Sequence, residues 1–141
     1  RLVYMGTFFF YLLWPLVWFY APLTIRVRVI LRYEDEVLVV KNWFGANSWQ
    51  LPGGGRKRNE TIIETGVREI KEELSIDLDA KQCRQLTDEP IVKSRSGLLL
   101  RYYLVEVTLD SKPKITTNKE ITDYEWKAIS SLSKLIPTQN H

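Results

Sequence analysis

The residues best equipped for chemistry lie between Gly53 and Glu73. Gly53-Gly54-Gly55 is followed by Arg68-Glu69-Ile70-Lys71-Glu72-Glu73, which crowds three carboxylates into little more than one helical turn. On a wheel of about 100° per residue, Glu69, Glu72 and Glu73 share an arc of roughly 100°. Ile63, Val67, Ile70 and Leu74 form an apolar stripe beside that arc, so the acids belong at the edge of the buried face, where helix meets sheet. Like charges at i,i+4 cost a few tenths of a kcal/mol when exposed and far more when partly desolvated. A cation resolves that conflict, and oxygen-only donors select Mg²⁺ or Mn²⁺. Arg68 stands at i,i+4 to pair with Glu72 and within reach of Glu60. The glycines admit close approach of a ligand to the backbone and expose its amide and carbonyl groups. A divalent cation beside such a cradle grips phosphate. The same acids would also suit a solvated helix face, because glutamate is a favoured helix former.

Composition removes the competing chemistries. The chain has 141 residues, one domain by length, and its hydrophobic content of 45% and charged content of 26% exclude disorder. A single cysteine, Cys83, excludes an intrachain disulfide and a cysteine-ligated metal centre. The one histidine is the terminal His141, so serine or cysteine catalysis has no imidazole base and a histidine metal site has no ligands. What remains is carboxylates, Lys and Arg, hydroxyls and backbone. The net charge of +3 comes from interspersed acids and bases and is weak evidence for an anionic partner.

The spacing carries more than the residue types do. Gly54, five residues, Glu60, seven residues, then Arg68-Glu69-Ile70-x-Glu72-Glu73-x-Ser75-Ile76 resembles the Nudix box, G-x5-E-x7-R-E-U-x-E-E-x-G-U with U apolar. A chance match is on the order of one in a million per chain. Trp49-x-Leu51-Pro52-Gly53 resembles the usual lead-in, and Ser75 in place of glycine is the one departure. The resemblance implies a Mg²⁺-dependent hydrolase (Mn²⁺ substituting) that cleaves the diphosphate linkage of a nucleoside diphosphate derivative. It implies Glu72 and Glu73 as principal metal ligands, Glu69 as ligand or water-activating base, and the Gly53 carbonyl as a further ligand. Gly54, Glu60 and Arg68 would support the site. A further acid after the box is Glu120, with Glu125 or Glu89 as substitutes. The partner is then a small nucleotide, with no specific nucleic-acid binding. A nucleotide-binding or sensing module without turnover is the alternative, which loss of box glutamates would favour; none is lost.

Subsite residues are less legible. Trp43, Phe44, Trp49, Tyr102, Tyr103, Tyr124 and Trp126 could stack a base, but aromatics on strands are more often core. Arg28, Arg32 and Arg101 could meet phosphate or simply face solvent. The S-Q-P-W-P-F-P-x-S signature of the family's NADH pyrophosphatases is absent.

These residues need a scaffold. Residues 24–33 alternate Ile25, Val27, Val29 and Leu31 against Arg26, Arg28 and Arg32, a half-buried strand. Glu34-Asp35 turns the chain into a returning strand at 37–43. Residues 49–55 run from a short strand into a glycine turn, and 61–74 switch to helical period. A connection with some strand follows at 76–86, then a strong strand at 98–109, a flexible polar loop at 112–122, a strand at 124–129 and the start of a helix at 130–136. The order predicts an α/β fold with a mixed sheet, and the resemblance makes it a Nudix-type α/β/α sandwich over residues 24–141. Ser75, at the end of the helix, is expected in left-handed backbone.

Residues 1–23 are separate in character. Residues 2–23 carry no charge, and as a helix would span about 33 Å against a hydrocarbon core of roughly 30 Å. Tyr4, Trp18 and Tyr20 suit membrane interfaces, and Pro15 is tolerated within a bilayer. The segment therefore reads as a single-pass membrane anchor. Arg26, Arg28 and Arg32 behind it place the catalytic domain in the cytoplasm. A hydrophobic arm packed on the domain and a cleaved signal peptide are the other readings.

Overall fold

A computed structural model describes residues 2–13, 25–43, 48–95 and 98–134. In chain order these form α1 (Leu2–Leu12), β1 (Ile25–Tyr33), β2 (Glu36–Asn42), β3 (Gly53–Gly55), α2 (Ile62–Leu74), β4 (Cys83–Gln85), β5 (Ile91–Arg95), β6 (Leu98–Thr108) and β7 (Ile121–Ala128). The alternation in β1 works as its sequence dictates. Val27, Val29 and Leu31 are fully buried against α2, together with Leu38, Val40, Ile70, Leu74, Val105 and Val107. Ile30 points the other way and joins Val37, Val39, Leu51 and Leu104.

β1 is the centre of a mixed sheet, ordered β4-β6-β1-β2-β7 among the described residues. On one edge it pairs in parallel with β6, from Ile25↔Arg101 to Arg32↔Thr108. On the other edge two partners share its length. β2 pairs with it at Arg32↔Val37 and Tyr33↔Glu36, beside the Glu34-Asp35 turn. β3 takes the remainder, antiparallel, from Arg28↔Gly53 to Arg26↔Gly55. β1 and β2 thus diverge, and the glycine strand lines the opening. β7 continues the sheet beyond β2, while β4 and β5 both pair with the far edge of β6.

α2 begins where Thr61 accepts a hydrogen bond from the Glu64 amide, satisfying an otherwise unpaired donor of the first turn. It packs so closely that a Cβ at Gly66 would lie 3.2 Å from Val29 Cγ2. It ends at Ser75, which adopts φ 59° and ψ 34° and donates its amide to the Lys71 carbonyl. The left-handed cap expected there is present with serine instead of glycine.

Four expectations need correction. The long N-terminal helix is not found: α1 covers 11 residues, about 16 Å, half of a hydrocarbon core. Pro15 has no N–H for the Tyr11 carbonyl and disfavours helical angles at the residue before it. Among the described residues no helix is long and apolar enough to cross a membrane. The transmembrane anchor over residues 2–23, the single-pass topology and the cytoplasmic placement derived from them are therefore withdrawn. Residues 14–24, with Trp18 and Tyr20, lie outside the described residues. Second, the glycines form a paired strand and not a turn. Third, β5 was not anticipated. Fourth, the expected helix at 130–136 is a 3₁₀ segment, Ile129–Lys134, in its described part, so a second helical layer is not seen among the described residues.

Candidate active site

The opening between β1 and β2 is a pocket of about 390 Å³ lined by Arg26, Arg28, Asn42, Trp43, Gly53, Gly54, Gly55, Glu69, Glu73 and Glu120. That volume falls within the range of small-molecule sites. Each element contributes for a local reason. Gly53 has φ +145°, and a Cβ there would collide with the Val27 carbonyl, so only glycine allows β3 to pair this tightly. A Cβ on Gly54 would lie 2.5 Å from the Glu69 carboxyl carbon, so this glycine leaves room for a carboxylate.

Glu73 is 3% exposed, and its Oε2 accepts a hydrogen bond from the Gly53 amide at 3.1 Å. Burial, opposed by that bond and reinforced by the nearby Glu69 and Glu120 charges, pushes its carboxyl up to about 8. Burial also raises Glu69, against the pull of Arg68. Arg28 lines the same pocket, its Nη1 donating to the Leu51 carbonyl at 3.1 Å. Desolvation, with Arg26 alongside, brings its guanidinium down to about 10. Arg26 is lowered by the same cause, and its buried Nε has no hydrogen-bond partner.

Arg68 organises the surrounding shell. Its Nε and Nη2 form a fork on Glu60 at 2.7 and 3.0 Å, and Nη2 also donates to the Gly55 carbonyl at 2.9 Å. Its Nη1 reaches Glu69 at 2.8 Å and Glu72 at 3.2 Å. The fork holds the Glu60 carboxyl down at about 2. One side chain thereby ties the glycine strand, the loop before α2 and α2 itself together.

Glu120 reaches the pocket by a longer route. The carbonyls at the end of α2 hold its loop: the Thr116 amide donates to Leu74 and the Asn118 amide to Glu73. Asn118 Oδ1 then accepts from the Glu120 amide at 3.0 Å, and the Glu120 carbonyl accepts from the Trp43 amide at 2.6 Å. The polar loop read as flexible is therefore tethered at both ends of this turn. Glu125 and Glu89 are exposed and line no part of the pocket.

The three acids of the sequence arc are not equivalent. Glu69 and Glu73 face the pocket, whereas Glu72 is 51% exposed and turned toward Arg68. Among the described residues no three Asp, Glu, His or Cys side chains stand close enough together to hold one metal ion as they are. The donor chemistry nevertheless suits a hard divalent cation. Glu69, Glu73 and Glu120 are all-oxygen donors lining one pocket, where the Glu69 charge raises the cost of ionising Glu73 and the Glu120 charge that of both.

Sequence reasoning missed Arg26 and Asn42. The signal for Arg26 was its i,i+2 relation to Arg28 on one face of a central strand. Asn42 sits at a register shift in β2 and gave no signal. Of the aromatics considered, only Trp43 lines the pocket among the described residues; Phe44 lies outside them.

Comparison with known proteins agrees with this geometry. A NUDIX domain family model matches residues 22–141. The mRNA decapping complex subunit 2 of Schizosaccharomyces pombe is 28% identical over 99 residues, 70% of this chain but 13% of that protein. An RNA pyrophosphohydrolase of Campylobacter jejuni is 28% identical over 114 residues, covering 74% of this chain and 73% of the relative. Among solved structures, the E. coli dihydroneopterin triphosphate pyrophosphohydrolase superposes with a TM-score of 0.65 at 19% identity, covering 81% of this chain and 86% of that one. With the box in register, its helix packed on a mixed sheet and the family match spanning both, this chain belongs to the Nudix hydrolase family.

Proposed function

We propose that the protein hydrolyses a phosphoric anhydride bond of a nucleotide with the help of Mg²⁺ or Mn²⁺. The observation that carries this reading is one pocket lined by three carboxylates, Glu69, Glu73 and Glu120, and by two arginines, Arg26 and Arg28. Glu69, Glu73 and Glu120, with the Gly53 carbonyl, would hold the cation, and Glu72 would act from the Arg68 side. When bound, the cation neutralises phosphate oxygens and acidifies a coordinated water. Arg28, already fixed by the Leu51 carbonyl, presents its remaining donors to the diphosphate without further ordering. Arg26 has a donor to spare. Glu120, at the exposed rim, is the candidate proton acceptor from the attacking water, and Glu69 is the second candidate. Two of the similar proteins named above are called pyrophosphohydrolases, which supports the reading.

The test is a panel of nucleoside triphosphates, ADP-ribose, dinucleoside polyphosphates, sugar nucleotides and a 5′-triphosphorylated oligonucleotide, with Mg²⁺ and with EDTA. Turnover of at least one member should vanish in EDTA. Glu73→Gln, which keeps the acceptor for the Gly53 amide, should fold normally and lose about a hundredfold or more in kcat. Full turnover in EDTA, or an unimpaired Glu73→Gln variant, would refute the proposal. Binding across the panel without hydrolysis would identify a nucleotide-binding module instead.

A further inference from the structure

α1 packs against Trp43, a residue that lines the pocket. Gly6 is buried against the Trp43 backbone so closely that a Cβ would overlap the Trp43 carbonyl. Phe9 extends the contact, its ring centroid 6.4 Å from that of Trp43. Trp43 lines the pocket, and its amide donates to the Glu120 carbonyl at 2.6 Å. A continuous path therefore runs from Gly6 through the Trp43 backbone to the turn that carries Glu120. Tyr4, Phe8, Tyr11 and Leu12 are exposed and Phe9 is 37% exposed, whereas Gly6 is buried, so the helix's footing on the domain is Gly6, flanked by the Phe9–Trp43 ring contact.

We propose that α1 is a positioning element of the active site, seating Trp43 and through it holding Glu120 at the pocket. This rests on the functional reading above only for the role of Glu120. A Gly6 side chain would lift α1 from Trp43, and displacements of about 1 Å near reacting groups can cost up to a hundredfold in rate. Neither Gly6 nor Phe9 lines the pocket, so any effect they have on it is indirect.

The experiment compares the full chain with Gly6→Val, Phe9→Ala, Glu120→Gln and the Gly6→Val/Glu120→Gln double variant. The direct readout is amide hydrogen exchange at Trp43 by NMR, which needs neither metal nor substrate. Exchange at Trp43 should be at least tenfold faster in Gly6→Val, with core amides of β1 unchanged. Mn²⁺ affinity, measured by calorimetry, should fall at least threefold in Gly6→Val and in Glu120→Gln, with little further loss in the double variant. If Gly6→Val does not fold, Phe9→Ala adds no atom and should move the same readouts in the same direction. Unchanged Trp43 exchange in the folded variants would overturn the proposal. So would Mn²⁺ losses that simply multiply in the double variant, because α1 would then act elsewhere. If Glu120→Gln alone leaves Mn²⁺ affinity and turnover intact, the assignment of Glu120 fails, while the exchange result still decides whether α1 seats Trp43.

Discussion

Ser75 occupies a backbone conformation that glycine adopts without strain, yet its hydroxyl is put to use. Its Oγ donates to the Thr116 carbonyl at 3.0 Å, fastening the loop that leads to Glu120. Glycine would relieve roughly 1–2 kcal/mol of left-handed strain. It would forfeit about 0.5–1.5 kcal/mol for the hydrogen bond and about 0.4–1 kcal/mol through unfolded-state entropy. Ser75→Gly should therefore leave stability within about 0.5 kcal/mol of the parent, while Ser75→Ala, which keeps the strain and loses the bond, should cost about 1 kcal/mol. Urea denaturation of the three proteins decides between these outcomes. Gly54 offers a contrasting case. The atom a methyl would strike is the end of the Glu69 side chain, which can swing aside. Gly54→Ala should cost about 1 kcal/mol or less in stability, but turnover should drop on the order of tenfold or more as the carboxylate leaves its place. Equal turnover in the two proteins would show that Glu69 does not need that position.

At the scale of elements, α2 works from its flank and from its end. The flank presents Glu69 and Glu73; the end supplies the carbonyls that hold the Thr116–Asn118 loop. The flank was legible in the sequence, because helical period and the spacing of the acids are local properties. The end was not. Which loop closes over a helix terminus depends on hydrogen bonds between residues some 40 positions apart, such as Ser75 and Thr116, and no local pattern encodes them. The split between Glu69 and Glu72 was hidden for a similar reason: the wheel places both near the groove, yet Glu69 lines the pocket and Glu72 is half exposed, while Arg68, forked on Glu60, reaches both through Nη1. That fork also gives α2 a pH signature. Glu60, held near 2 against an ordinary 4.5, stabilises the fold above about pH 4.5 and loses that contribution as the pH falls toward 2. Denaturation midpoints between pH 5 and 2 should fall less steeply for Glu60→Gln than for the parent. Parallel slopes would mean that the pair contributes nothing measurable.

Across the whole molecule, β1 was read correctly as a half-buried strand, but its neighbours were not foreseen beyond the hairpin with β2. Pairing partners are a matter of topology, and the glycine run carries no alternation to announce itself as a strand. The apolar N-terminal run shows the opposite failure: composition alone pointed to a bilayer, whereas its described helix is short and rests on Trp43. The arrangement around β1 also fixes how motion is distributed through the protein. Its backbone is paired on both edges, with β6 along one and with β3 and β2 dividing the other, so the floor of the pocket is flanked on every side by hydrogen-bonded chain. Amides of Val27, Val29 and Leu31 should exchange with solvent only on global opening, whereas those of the 112–120 loop should exchange through local fluctuation. Faster exchange in β1 than in the loop would contradict this. A site built this way deforms asymmetrically: when a ligand enters, the wall carrying the arginines and glycines stays still, and any accommodation must come from the side of Trp43 and Glu120.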